Sequence, residues 1–208
     1  MPGTIFWDVD TQYDFMRADG KLYVPDAEQI IPNLKRLTDH AHKAGIRIVA
    51  SADDHVPGHK ELSDKPDFKE TFPPHCMRGT PGQKKIPETA LKAARIIEPD
   101  AKDVRIPGGD LLFHKHWFDV FTNPYVESVV RQLDPERIFV YGVAMDVCNR
   151  YAIEGLLGRR PTTRIFAITD ATKPIDATRS ESLINEWRRR GVTMVTTDEA
   201  IVQTSQLA

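Results

Sequence analysis

Residues 26–51 read DAEQIIPNLKRLTDHAHKAGIRIVAS, a helix-length amphipathic run that passes directly into a β-prone one. Ile30, Ile31, Leu34, Leu37, Ala41 and Ala44 recur at helical spacing and make one apolar stripe. Asp26 is placed to cap the start over Asp26–Ala44, Pro32 to shift or kink it, and Gly45 to stop it. The β-prone run Ile46–Ser51 follows at once, and another apolar run, Thr4–Asp10, lies upstream. Strand, helix and strand in this order describe two parallel strands joined by a crossover helix. The same alternation continues along the chain and supplies strands at Leu111–Phe113, Arg137–Val143, Arg164–Thr169 and Val192–Thr196. It also supplies a helix after Asp176 with Leu183, Ile184 and Trp187 on one face and Gly191 at its end. Short, mostly apolar strands suit a sheet covered on both faces, and crossovers are right-handed. The expectation is an α/β fold, a three-layer α/β/α sandwich on a mostly parallel six-stranded sheet.

The chain has 208 residues, 40% hydrophobic and 28% charged, with a formal charge of −2, which reads as one globular domain over residues 1–208. A pI near 6.4 and the absence of a polybasic run argue against nucleic acid as a partner. No apolar stretch is long enough to span a bilayer and no cationic leader opens the chain, so the expected location is the cytoplasm. Cys76 and Cys148 lie in different motifs, which argues against a disulfide framework. The strand–helix rhythm breaks from Ala52 to about Gly109, where eight prolines surround a single expected helix, Glu88–Ile97. A loop of that length in a compact domain usually carries function.

Ligands bind at the carboxyl ends of strands in open parallel sheets, so the residues ending each strand are the first candidates. They are Asp10, then Ser51-Ala52-Asp53-Asp54-His55, then His114-Lys115-His116, and then Gly142-Val143-Ala144-Met145-Asp146-Val147-Cys148. Asp10, Lys115 and Cys148 together supply a carboxylate, an ammonium and a thiol. The ammonium favours the thiolate, and the carboxylate can take up and return a proton. Helical spacing with Tyr151, Ala152, Gly155 and Leu156 would by itself make Cys148 a buried helix residue. A strand ending in small residues before it instead puts the sulfur at a helix N-terminus, where the dipole lowers a thiol pKa and free amides can hold an oxyanion. In the loop, Asp53, His55, His59 and His75 fit a divalent transition-metal site. Cys76 follows His75 directly, and in an extended segment its side chain would point elsewhere, as a bystander.

Gly-x-Gly-x-x-Gly, Gly-x4-Gly-Lys-Ser/Thr and Gly-x-Ser-x-Gly are all absent, which sets aside dinucleotide oxidoreductases, P-loop NTPases and serine α/β-hydrolases. A binding module with a degenerate pocket is the competitor from another class. Several motifs then carry a resemblance: Asp10-x-Gln12-x-Asp14-Phe15, Asp53-x-His55, Phe72-Pro-Pro-His75-Cys76-x-x-Gly79-Thr80-Pro81-Gly82, Lys115, and Gly142-Val-Ala144-x-Asp146-x-Cys148. Together they resemble the isochorismatase-like cysteine hydrolases, and within them the nicotinamidases (pyrazinamidases). Departures from that pattern are Val147 for histidine, Met145 for threonine, Phe72 for a pocket tryptophan, and the tight His55-x3-His59 spacing.

The resemblance implies a catalytic triad of Asp10, Lys115 and Cys148 and an oxyanion hole from the amides of Ala144 and Cys148 after a cis Val143–Ala144 peptide. It also implies one divalent metal ion (zinc, iron or manganese) on Asp53, His55 and His75, with His59 in the place of a further histidine used by some members. The implied activity is hydrolysis of a small aromatic carboxamide such as nicotinamide through a Cys148 thioester, with the metal anchoring the ring nitrogen. Phe15 and Phe72 are candidates to pack against that ring, or to be ordinary core. A metal-free isochorismatase-like or carbamoyl-amide hydrolase is the alternative within the superfamily, and association of several copies stays open.

Overall fold

In the computed structural model, which describes residues 3–106 and 108–205, seven strands form one sheet. They are β1 (Thr4–Val9), β2 (Arg47–Asp53), β3 (Arg95–Ile97), β4 (Leu111–Lys115), β5 (Arg137–Val143), β6 (Arg164–Lys173) and β7 (Thr193–Val195). Their order is β3-β4-β2-β1-β5-β6-β7, and every neighbouring pair is parallel. Alternation along β1 sends Ile5, Trp7 and Val9 into one apolar cluster and Phe6 into another. The first cluster holds Val129 of α3 (Val126–Leu133), Leu156 of α4 (Cys148–Arg159) and Trp187 of α5 (Ser180–Arg189). The second holds Leu34 and Leu37 of α2 (Ile31–Ala44) and Ala200 of α6 (Thr197–Ser205). Helices therefore cover both faces, giving the expected three layers. A one-turn helix, α1 (Tyr13–Met16), follows β1.

The sheet has one strand more than the six expected. The segment expected as helix Glu88–Ile97 is a 3-10 turn at Pro87–Thr89 followed by edge strand β3. Pairing decides against helix there: the Asp110 carboxylate accepts the Lys92 amide, the Arg95 amide donates to Asp110 O, and Ile97 pairs with Phe113. Asp26 adopts a left-handed φ of 60° and caps nothing with its side chain. A 3-10 turn over Ala27–Ile30 comes next, and α2 begins at Ile31 with Pro32 in its first turn, where a missing N–H costs nothing. Gly45, at φ 66°, ends the helix as expected.

The chain passes from β1 to β2 on one side and later returns to β5 on the other, so the sheet's switch point lies at the carboxyl end of β1. At that point β5 crowds β1. A Cβ on Gly142, whose φ is 107°, would sit 2.1 Å from Val9 O. Only glycine lets the strand leading to Cys148 run this close to the strand leading to Asp10.

Candidate active site

Asp10, Asp53, Lys115 and Cys148 meet at this switch point. Asp53 and Lys115 are register partners on β2 and β4, so their side chains leave the same face of the sheet. Lys115 Nζ lies 3.0 Å from Asp10 Oδ2 and 3.7 Å from Cys148 Sγ, and it ion-pairs with Asp53 Oδ1. The Ser51 hydroxyl donates to Asp10 Oδ1 at 2.6 Å, leaving Oδ2 to face the lysine and the thiol. All four side chains are buried. Burial works against the Lys115 charge, but Asp10 and Asp53 outweigh it and hold the ammonium protonated. Burial raises Asp10 above the ordinary carboxylate value, with Lys115 opposing.

Burial also pushes the Cys148 thiol well up, against the pull of Lys115. The lysine acts in the expected direction on the thiol, and the Asp10 carboxylate beside the sulfur is placed to receive its proton. Cys148 opens α4, and the Val143–Ala144 peptide is cis. The amides of Val147 and Asn149 both donate to Ala144 O, and that of Met145 donates to Lys173 O. The amides of Ala144 and Cys148 have no acceptor among the described residues. Asp146 accepts the Ile175 and Asp176 amides at 2.8 and 2.9 Å, fastening the chain after β6 to this elbow.

Beside the lysine, Asp53, His55, Glu61 and His75 form a buried group whose ligand-type atoms all lie within 4.8 Å of one another. His75 Nε2 is 3.6 Å from Asp53 Oδ2 and 3.5 Å from Glu61 Oε1, and His55 Nε2 is 3.9 Å from a carboxylate oxygen of each acid. Burial lowers His55 to about 4. Burial opposes charge on His75 too, but the Asp53 and Glu61 carboxylates outweigh it and raise it to about 10. Nε2 of both histidines and Oε2 of Glu61 are buried without a hydrogen-bond partner among the described residues. Two imidazoles and two carboxylates converging with orphaned donor atoms fit a zinc, iron or manganese ion.

His59 stands outside this group. Its Nδ1 is 3.2 Å from His55 Nδ1 on the side away from the carboxylates, and its ring lies 4.2 Å from that of His116. Sequence reading missed Glu61, whose signal is faint: it sits in the charged run KELSDKPDFKE, where nothing distinguishes it from the solvated acids nearby. Pairing of Leu62 with Phe72, and a 2.8 Å bond from the Phe72 amide to Glu61 O, turn it inward.

The Gln12 and Asp14 side chains hold the loop to the sheet. The Gln12 amide donates to Asp53 O and Gln83 O at 2.8 and 2.6 Å and accepts the Asp53 N–H at 2.7 Å. Asp14 Oδ2 accepts the Cys76 amide at 2.7 Å, and a Cβ on Gly82 would fall 2.2 Å from that oxygen. Cys76 is buried in the core next to His75, its thiol pushed up by burial. An apolar pocket lies over these groups, lined by Phe15, Phe72, Phe118, Val147 and Ile175 and by Cys148, Asp53 and Glu61. Phe118, which packs edge-on to Phe72 at 5.6 Å, and Ile175 had no distinguishing sequence signal.

The sequence matches the model of the isochorismatase domain over residues 5–199, and the chain belongs to that family. The nicotinamidase/pyrazinamidase of Mycobacterium tuberculosis is 27% identical over 203 residues, covering 90% of this chain and 95% of its own. A pyrazinamidase of Pyrococcus horikoshii solved in complex with zinc shares the fold at TM-score 0.74 and 23% identity, covering 94% of this chain and 99% of that one. The N-carbamoylsarcosine amidase of Thermoplasma acidophilum shares it at TM-score 0.71 and 21% identity, covering 94% and 96%. Among the described residues, no helix is long and apolar enough to cross a membrane.

Proposed function

We propose that this protein is a metal-assisted cysteine amidohydrolase acting on a small aromatic carboxamide, and specifically a nicotinamidase that converts nicotinamide and water to nicotinate and ammonia. The observation that carries this reading is that Cys148, Asp53 and Glu61 line the same apolar pocket. A reactive sulfur and a ring anchor would then face one bound amide.

Cys148 gives its proton to Asp10 Oδ2 as sulfur attacks the carboxamide carbon, and the amides of Ala144 and Cys148 receive the oxyanion. Lys115 stabilises the negative charge passing between sulfur and Asp10. The C–N bond breaks as Asp10 returns the proton to nitrogen, so ammonia leaves and a thioester remains. A water molecule then attacks the thioester carbon, giving its proton to Asp10. Collapse releases the acid, and the proton goes back to sulfur. Asp53, His55, Glu61 and His75 would hold the divalent ion, which when bound supplies a Lewis-acidic anchor for the pyridine nitrogen. Phe15, Phe72 and Phe118 give the ring its apolar walls.

The pocket also bears on the carbamoyl-amide alternative. No lysine or arginine is among its lining residues, so in a metal-free enzyme a substrate with a free carboxylate would be desolvated there without a countercharge from the walls. The test is ammonia release from nicotinamide, pyrazinamide and N-carbamoylsarcosine, measured before and after chelation. The ring amides should be hydrolysed, and chelation should depress that rate. Preference for N-carbamoylsarcosine, undiminished by chelator, would replace it with the metal-free alternative.

A further inference from the structure

We propose that His59 is a positioning residue that fixes the ring of His55 through an Nδ1 to Nδ1 hydrogen bond; this rests on the metal-site reading above. The two Nδ1 atoms are 3.2 Å apart, so one carries the shared proton and the other accepts it. The Val56 amide points at the same His59 nitrogen from 3.4 Å. A nitrogen approached by a backbone donor is an acceptor, which puts the shared proton on His55. A neutral imidazole with hydrogen on Nδ1 has its lone pair on Nε2, and His55 Nε2 is the atom that faces Asp53 and Glu61.

His75 is arranged in the same way by different means. Its Nδ1 lies 2.8 Å from Pro73 O, a carbonyl that can only accept, and its Nε2 faces the same two carboxylates. Each buried imidazole thus has an outer acceptor that selects its tautomer and aims its lone pair, an arrangement typical of metal-ligating histidines. The His59 backbone is tied into the loop, its amide bonding Val56 O at 3.2 Å and its carbonyl accepting the Leu62 amide at 2.9 Å. Its ring rests against His116. Glu61, two residues on, supplies the fourth donor that a ligating His59 would have contributed.

The test uses the full chain, with zinc affinity measured by competition against a chromogenic chelator and the visible spectrum recorded for the cobalt-loaded protein. His59→Ala and His59→Leu should weaken zinc binding by about 10–100-fold. His59→Gln, whose amide oxygen can accept the His55 proton, should recover most of that loss. All three should keep the wild-type cobalt band shape, whereas Glu61→Ala should change it. Unchanged zinc affinity in the alanine and leucine proteins would overturn the proposal. So would an altered cobalt spectrum in all three variants, which would make His59 a ligand itself. A wild-type protein that binds neither zinc nor cobalt would overturn the metal site and, with it, the role of His59.

Discussion

The proposed nucleophile half of the site and the proposed metal half are built by different means. Asp10, Lys115 and Cys148 stand at the ends of β1 and β4 and at the start of α4, so the backbone ladder of the sheet sets their spacing. His55, Glu61 and His75 come from the segment between β2 and β4, where no helix or strand among the described residues exceeds three residues. Polar side chains do there what the ladder does in the sheet. Gln12 grips the backbone at Asp53, Asp14 holds the Cys76 amide, and Arg78 Nε lies 2.9 Å from both Asp54 carboxylate oxygens. Each such bond contributes on the order of 1–3 kcal/mol net, more where a carboxylate takes part, and each leaves a buried polar group stranded if its partner is removed. The metal half should therefore be the easier one to dismantle, and Lys115, which touches Asp10 and Asp53, is where the halves meet.

Substitution in the proposed nucleophile half should cost most. Cys148→Ala should lower the rate of ammonia release from nicotinamide by roughly 10³-fold or more, while zinc content and thermal melting stay near wild type. A parallel loss of zinc would show that the two halves are not separable. Lys115→Met comes next. Lys115 is the influence that lowers the Cys148 pKa, so its removal should raise that pKa and move the iodoacetamide alkylation profile to higher pH. An unmoved profile would leave the lysine no electrostatic role at the sulfur. The smallest effect is the sharpest test of separability: Gln12→Ala should weaken zinc retention by about 10-fold or more, with Cys148 alkylation left almost unchanged. Equal losses in both readouts would place Gln12 in the nucleophile half.

This division also explains what could be read from the sequence. Strand and helix periodicity located the sheet and the elbow at Cys148, because apolar runs of fixed length record burial on both faces. β2 and β4 nevertheless extend to Asp53 and Lys115, beyond the expected Ser51 and Phe113. Polar residues at a strand's carboxyl end look like loop although they keep strand pairing. Edge strand β3 was hidden because Ile96 is half exposed and only Ile97 is buried, a pattern too short to separate from a helix face. Asp53, His55 and His75 stood out by residue type. Glu61 did not, since only the pairing of Leu62 with Phe72 turns it from a surface acid into a buried one. The orienting bond between His59 and His55 is likewise a matter of ring placement that spacing does not encode.

Bonding of the amide carbon to Cys148, as proposed, leaves a mass that intact-protein spectrometry of acid-quenched enzyme detects. Protein mixed with nicotinamide and quenched within the first turnover should carry one added nicotinoyl group. Peptide mapping should place it on Cys148, and hydroxylamine should release it as the hydroxamate, as expected of a thioester. Steady ammonia release with no acyl adduct at any quench time, or an adduct mapped to Cys76, would rule out a thioester on Cys148.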